Sequence, residues 1–168
     1  MAGKRPITAR PASIETRREG GHWEVDTILG TGDRRCVVSL VERKTGYLLL
    51  GKLRARTTAE VTRRVIALIR HERQPVHTIT ADNGTEFHDF ARIEQATGTT
   101  FYFATPHHAW ERGTNENTNG LVRQYLPKGQ SMNGVTQRDC TRIARALNTR
   151  PRKRHDYRTP EECYAPLT

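Results

Sequence analysis

A chain of 168 residues is one domain by length and is long enough to bury a hydrophobic core. Its 28 lysines and arginines outnumber its 18 acidic residues, and the formal charge is +10 at pH 7. Such an excess attracts polyanions, and the predominance of arginine favours nucleic acid over a membrane surface. No apolar run approaches the roughly 18 residues of a membrane span, and no signal-peptide pattern opens the chain. We therefore expect a cytoplasmic protein that does not contact a membrane.

The three cysteines, Cys36, Cys140 and Cys163, are far apart and odd in number. This spacing predicts reduced thiols and argues against a disulfide framework. The seven histidines form no pair at metal-ligand spacing, so the sequence does not indicate a zinc site.

The first twenty residues carry five basic side chains and two prolines, and they end at the glycine pair Gly20-Gly21. This composition predicts a mobile basic arm or linker over residues 1–20, followed by a domain over residues 21–168. No stretch of the chain is typical of a helix-turn-helix.

Extended segments come first in that domain. Residues 23–29, 36–41 and 47–50 are rich in β-branched and large apolar side chains and are separated by turn residues. Because the connections are short, these segments are predicted to form three antiparallel strands.

The hydrophobic period then changes to that of helices. Thr57 and Glu60 have the spacing of a capping box ahead of a helix that ends by Pro75, and a strand is predicted over 76–80. A second helix ends at Gly98, a strand follows over 101–104, and a third helix runs from near Thr114 to before Pro127. Further helices are predicted over 136–147 and from Pro160. The order predicts an α/β fold, a mixed five-stranded sheet with three antiparallel and then two parallel strands and helices on both faces, which resembles the ribonuclease H-like architecture.

Three carboxylates stand at unusual places in this pattern. Asp26 interrupts the first strand, Asp82 ends the fourth, and Glu116 lies in the first turn of the third helix. If the first and fourth strands are neighbours, both aspartates meet at one edge of the sheet. With 100° per residue, Leu121, Val122 and Tyr125 would form the buried stripe of the third helix, and Glu116 would point away from it together with Asn119, Gly120 and Arg123.

Clustered carboxylates are the ligands that Mg²⁺ and Mn²⁺ prefer, and two such ions serve phosphodiester cleavage or transfer. Each acid also has an ordinary interpretation: a charge on an edge strand, a tight turn, or a complement to a helix N-terminus. Together, in a strongly basic chain with this element order, they favour a catalytic triad of Asp26, Asp82 and Glu116.

Segments 82–87 (DNGTEF) and 110–129 (WERGTNENTNGLVRQYLPKG), with 147–153 and 159–162, resemble the integrase core of bacterial Asp-Asp-Glu insertion-sequence transposases, of the insertion sequence thirty family type. The resemblance covers about residues 14–165. It implies a ribonuclease H-like fold, two Mg²⁺ ions, cleavage at element ends, and attack of the freed 3′-hydroxyl on target DNA. It also implies that Asp26, Asp82 and Glu116 form the triad, and that the protein acts near the bacterial nucleoid as at least a dimer on double-stranded DNA.

Basic and polar side chains near the predicted triad are candidates for DNA backbone contacts. They are Arg112, Asn119, Arg123, Lys128, Arg152, Lys153 and Arg154. Glu24 shares a strand face with Asp26, and its side chain is predicted either to support the triad or to be an exposed charge. The alternatives to a transposase are a ribonuclease H-like nuclease and a DNA-binding module without activity.

Overall fold

The computed structural model describes residues 3–32 and 35–165. Residues 1, 2, 33, 34 and the predicted end of the core at 166–168 lie outside these ranges. The strands and α-helices of the described residues are, in chain order, β1 His22–Leu29, β2 Cys36–Glu42, β3 Leu48–Leu53, α1 Thr58–His71, β4 Thr78–Ala81, α2 Phe90–Thr97, β5 Thr100–Phe103, α3 Gly113–Val122, α4 Gln137–Asn148 and α5 Pro160–Tyr164.

The five strands form one sheet in the order β3-β2-β1-β4-β5. β1 pairs antiparallel with β2, as β2 does with β3, whereas β1–β4 and β4–β5 are parallel pairs. Parallel neighbours need long connections, which α1 and α2 supply. The predicted sheet of three antiparallel and two parallel strands is confirmed.

Helices cover both faces of the sheet, also as predicted. Side chains along β1 alternate between the faces: Trp23 and Val25 belong to a core that includes residues of α1 and α2, while Ile28 belongs to a second core beneath α4. On α4 the inward residues Ile143 and Leu147 are one helical turn apart and nearly fully buried. The first half of the central β1 is therefore buried on both sides, whereas Asp26 and Thr27 are half-buried and Leu29 is exposed.

Local signals at the helix ends account for most boundaries. Thr136 and Thr159 form complete capping boxes with Asp139 and Glu162, which start α4 and α5. The predicted box at α1 is only half formed. The Thr57 hydroxyl accepts the Glu60 N–H, but a Glu60 carboxylate oxygen accepts the backbone N–H of Arg54 instead. Arg54 follows the last residue of β3, and its N–H takes the place of the Thr57 N–H at the Glu60 carboxylate. The Thr-x-x-Glu spacing alone does not predict this competing contact.

The described part of the N-terminal segment, for which the sequence predicts a basic arm or linker, lies against the rest of the domain. The N–H of Phe103 donates to the carbonyl of Arg5 at 2.9 Å, and Ile14 is only 4% exposed. Arg10 is buried because its guanidinium donates to the Thr80 hydroxyl at 2.8 Å and binds the Glu15 carboxylate. A domain boundary at residue 21 stays a prediction.

Among the described residues, Cys36, Cys140 and Cys163 are not joined in disulfides. No helix within residues 3–32 and 35–165 combines the length and apolarity needed to cross a membrane.

Candidate active site

Asp26 and Asp82 lie next to each other because of the register of β1 and β4. His22 pairs with Thr78 and Glu24 with Thr80 in a parallel ladder. Continuing this register by two residues sets Asp26 beside Asp82, just beyond the end of β4. The two side chains are 22% and 31% exposed, so both carboxylates are partly accessible to solvent.

A guanidinium group lies between the two carboxylates. Arg112 Nη1 is 3.6 Å from Asp26 Oδ2, and its Nη2 is 3.8 Å from Asp82 Oδ2. The Arg112 side chain is only 15% exposed. The strand ends thus hold two negative charges, and this chain's own cation offsets their repulsion.

Hydrogen bonds fix the direction of the Asp26 carboxylate. Its Oδ1 accepts the N–H of Thr27 at 2.8 Å, and its Oδ2 accepts from Asn119 Nδ2 at 2.9 Å. Burial raises the pKa of Asp26, against the lowering effect of Arg112 and the two donors, and the charge of Asp82 raises it further. A dication would relieve the same repulsion and lower this pKa.

The Asp82-Asn83-Gly84 turn fixes the second carboxylate. Asp82 Oδ1 accepts the N–H of Gly84 at 2.8 Å, and Asn83 Nδ2 donates to the carbonyl of Ala104 at 2.7 Å. A Cβ at Gly84 would collide with the carboxylates of Asp82 and Glu86. A side chain at Gly84 would therefore push the carboxylates of Asp82 and Glu86 out of their present positions.

Glu116 is exposed in the first turn of α3. Within residues 3–32 and 35–165, no three His, Cys, Asp or Glu side chains come close enough together to hold a metal ion. The structure thus unites two members of the predicted triad and leaves the third apart. Three ionised carboxylates in contact would repel one another, whereas Arg112 offsets part of the repulsion between Asp26 and Asp82.

The buried side of α3 differs from the predicted stripe. Val122 is fully buried, but Leu121 and Tyr125 are only half-buried. Asn119 does not point away with Glu116, because it accepts the Ser39 hydroxyl at 3.0 Å and donates to Asp26. α3 packs on a polar part of the sheet, so amides and hydroxyls occupy positions that hydrophobic periodicity assigns to apolar side chains.

A buried ion pair ties the start of α3 to β1. Glu24 is 0% exposed, and its Oε2 accepts the N–H of Asn115 at 2.8 Å. Arg43, 3% exposed, places its Nε 3.5 Å from Glu24 Oε1. Burial raises the pKa of Glu24, and Arg43 and the Asn115 N–H act in the opposite direction. Glu24 is therefore not an exposed charge, and it holds the residue next to Glu116.

The predicted DNA contacts divide into separate groups. Arg112 and Asn119 lie at the carboxylate pair, and Arg123 donates to the carbonyls of Leu29 and Leu126 at 3.0 and 3.3 Å. Lys128 is exposed beyond α3. The remaining three line a pocket near the start of α3: Arg152, Lys153 and Arg154.

Sequence reasoning missed several residues of this region. Arg112 is among the predicted DNA contacts, but its place between the two aspartates has no signal in the sequence. The pairing of Arg43 with Glu24 has none either, since the two are brought together only by the sheet. Arg17 and Thr114, which line the same pocket as Arg152, were also not identified.

Comparison with known proteins connects this geometry to a family. No protein-family model matches the chain. The transposase for insertion sequence element IS4351 of Bacteroides fragilis is 41% identical over 162 residues, covering 96% of this chain and 50% of that protein. The transposase InsI for insertion sequence element IS30A of Escherichia coli strain K12 is 38% identical over 161 residues, covering 94% of this chain and 41% of that protein. The chain spans about half the length of the curated relatives it matches, or less.

Among solved structures, the catalytic core domain of BIV integrase superposes with a TM-score of 0.67 at 19% identity, covering 88% of this chain and 95% of that one. This likeness concerns the fold, and together with the observed sheet it confirms the ribonuclease H-like architecture. The resemblance found in the motifs is also confirmed: over nearly its whole length, this chain is a homologue of insertion-sequence transposases of the IS30 family.

Proposed function

We propose that this chain is the catalytic core of a DNA transposase, which cleaves phosphodiesters at element ends and joins a freed 3′-hydroxyl to target DNA. The observation that supports this most directly is the convergence of Asp26 and Asp82 at adjacent strand ends, around a cationic group. Relatives named as transposases support the same activity. The strongly basic chain suits a polyanionic substrate.

Asp26, Asp82 and Glu116 would hold Mg²⁺ or Mn²⁺ in this proposal, with two ions expected when DNA is bound. Carboxylate oxygens are the donors these ions prefer, and the two aspartates already attract a cation, so the residues present fit the group. Bound ions would activate the attacking oxygen and stabilise the leaving oxygen of the phosphodiester.

The protein's own side chains orient the site. Asn119 holds Asp26, and the backbone of Gly84 holds Asp82, so both carboxylates keep their direction as the site fills. Glu24 fixes the first turn of α3, which carries Glu116. Arg112 lies against both carboxylates, and if a dication took its place there, its planar guanidinium would be free to bind a DNA phosphate with two hydrogen bonds.

The partners and location follow from the activity. We propose that the protein binds double-stranded DNA at element ends and targets, acts at the bacterial nucleoid, and works at least as a dimer on DNA. The predicted contacts of Arg123 and Lys128 would extend the interface beyond the end of α3, where both side chains lie.

One observation favours a second candidate, a DNA-binding module without activity. Glu116 is separated from the aspartates, and Arg112 occupies the space between them. If Arg112 stayed between the two aspartates and no dication bound there, the protein would bind DNA without cutting it.

Nicking of supercoiled plasmid with Mg²⁺ or Mn²⁺ separates these candidates. The wild type should nick, and Asp26→Asn, Asp82→Asn and Glu116→Gln should each abolish nicking while leaving the circular dichroism spectrum and melting temperature near wild type. Matched controls are Asp89→Asn, at the start of α2, and Glu19→Gln, which is exposed. Near-wild-type nicking by any triad variant removes that residue from the triad. Absence of nicking by the wild type, with DNA binding intact, supports the silent module.

A ribonuclease H-like nuclease is tested in the same series. Preferential cutting of the RNA strand in an RNA–DNA hybrid, with no joining of a 3′-hydroxyl end to plasmid, would replace the transposase proposal by the nuclease.

A further inference from the structure

A second concave site lies beside α3. It is a pocket of about 400 Å³ whose α3 residues include Thr114, Thr118 and Leu121, which recur at helical spacing and form one face of the helix. The residues that contact Asp26 and Glu24, Asn119 and Asn115, point instead toward the sheet. The pocket and the carboxylate pair therefore lie on different sides of the same helix.

Basic side chains from two distant parts of the chain line this pocket. Arg17 follows the second N-terminal 3-10 turn, and Arg152, Lys153 and Arg154 come from the segment after α4. None of the described residues that line it is acidic. We call this pocket, with its four basic residues, the basic pocket.

The turn between β2 and β3 supports the basic pocket. His155 Nε2 lies 2.9 Å from the carbonyl oxygen of Thr45, which fastens the basic segment to the turn. Gly46 has φ +75°, and a Cβ there would fall 2.6 Å from Arg154 Nη2. The glycine therefore lets the guanidinium lie against the turn.

Positive charge in the basic pocket is in excess. Partial desolvation and repulsion from Arg17 lower the pKa of Arg154. Glu42 and Cys163 act in the opposite direction and raise this pKa, but by less. Of the Glu42 carboxylate, Oε2 accepts the N–H and hydroxyl of Thr45 at 2.7 and 2.6 Å. In the described parts of the chain, neither Arg17 nor Lys153 makes a side-chain hydrogen bond or an ion pair. An anion entering the pocket would satisfy these charges.

The start of α3 supplies neutral donors at the same place. Gly113 and Thr114 are its first residues and line the pocket, and N–H groups at a helix N-terminus have no partner within the helix. Thr114 is 5% exposed, and its hydroxyl has no hydrogen-bond partner among the described residues. A buried hydroxyl without a partner costs stability, and a phosphate oxygen would remove that cost if the Thr114 side chain turned toward the pocket on binding.

We propose that the basic pocket binds a backbone phosphate of the DNA strand, as a positioning subsite separate from the carboxylate pair. The assignment of the phosphate to DNA rests on the proposed function. The pocket begins at Gly113, the residue after Arg112, so a strand held there runs past the start of α3 toward Asp26 and Asp82. The contacts are to phosphate oxygens, so the subsite holds DNA of any sequence.

The test is the salt dependence of duplex binding, measured by fluorescence anisotropy with an end-labelled 30-base-pair DNA. Arg17→Gln/Lys153→Gln should weaken binding and reduce the slope of log K against log salt by about one unit per lost contact. Arg70→Gln/Arg92→Gln removes the same charge from exposed positions on α1 and α2, on the other face of the sheet, and its slope should equal that of the wild type. Thr114→Val keeps the shape of the side chain and should weaken binding several-fold at constant salt. An unchanged slope in the pocket variant, or an equal loss in the control, would overturn the proposal.

Two further measurements separate this proposal from the proposed function. In the nicking assay, Arg17→Gln/Lys153→Gln should raise KM with little change in kcat, whereas Asp82→Asn should abolish nicking and leave the salt slope intact. If the wild type nicks plasmid but Arg17→Gln/Lys153→Gln leaves the salt slope unchanged, the phosphate subsite is rejected and the proposed function stands. If the wild type does not nick plasmid but the double substitution reduces the salt slope, the nicking activity is rejected and the subsite stands. If the basic pocket binds inorganic phosphate or pyrophosphate at micromolar concentration and DNA does not compete, its ligand is a free anion. That result would contradict the proposal.

Discussion

Replacing Arg43 by methionine should severely destabilise the domain, because it leaves the Glu24 carboxylate buried without its counter-ion. Glu24 is 0% exposed and Arg43 3% exposed, so water cannot replace the lost partner. Breaking a buried ion pair by removing one member costs about 3–5 kcal/mol. In a domain of this size each kcal/mol lowers the melting temperature by roughly 2–4 °C, so a decrease of roughly 6–20 °C is expected for Arg43→Met.

A double-mutant cycle tests the cause. Glu24→Gln removes the buried charge and keeps an oxygen that can accept the Asn115 N–H. Glu24→Gln/Arg43→Met should therefore be more stable than Arg43→Met alone, with a coupling of about 1–3 kcal/mol in urea unfolding. Arg63→Met on α1 is the control, since Arg63 is exposed, and it should change stability by less than about 0.5 kcal/mol. Additive effects of the two substitutions, or an Arg43→Met variant as stable as the control, would refute the buried-pair reasoning.

Other substitutions test the helix ends, the core and the recognition of DNA. Hydrogen bonds from the Thr136 backbone and hydroxyl lower the pKa of Asp139 in the folded protein. The ionised Asp139 therefore stabilises the fold fully at pH values above the ordinary carboxyl pKa, and this stabilisation is lost as the pH falls through the lowered pKa of the folded state. The difference in melting temperature between wild type and Asp139→Asn should be present at pH 7 and disappear on acidification; a constant difference would contradict the box. Gly98→Ala, at φ +75°, should cost about 1–2 kcal/mol in urea unfolding, and an unchanged midpoint would show that strain at this position is unimportant. Ile143→Ala should cost about 2–5 kcal/mol, and a loss below 1 kcal/mol would exclude a tightly packed second core. In cleavage of paired duplexes at equal salt, the 168-residue chain should prefer a cognate end over a scrambled one by no more than a few fold, since its predicted contacts are to phosphates; strong preference would show base readout within this chain.

Sequence patterns alone determined the order of the elements, because their causes are local. Alternation along residues 23–29 predicts β1, and Thr136 with Asp139 predicts the start of α4, through contacts within a few residues. Short connections predict the antiparallel strands, and intervening helices predict the parallel ones. The meeting of Asp26 and Asp82 followed from this order, since neighbouring parallel strands bring their carboxyl ends to one edge of the sheet.

The tertiary structure decided which charged and polar side chains lie inside. Hydropathy places Glu24, Arg43 and Arg10 on the surface, yet all are buried, because each finds a partner that is distant in sequence or brought near by a turn. The same partners bring the N-terminal segment onto the domain and place amides of α3 where apolar side chains were expected. Burial of a charge depends on whether a compensating group is present in three dimensions, and that is set by the packing of the whole chain rather than by the neighbours of a residue in the sequence.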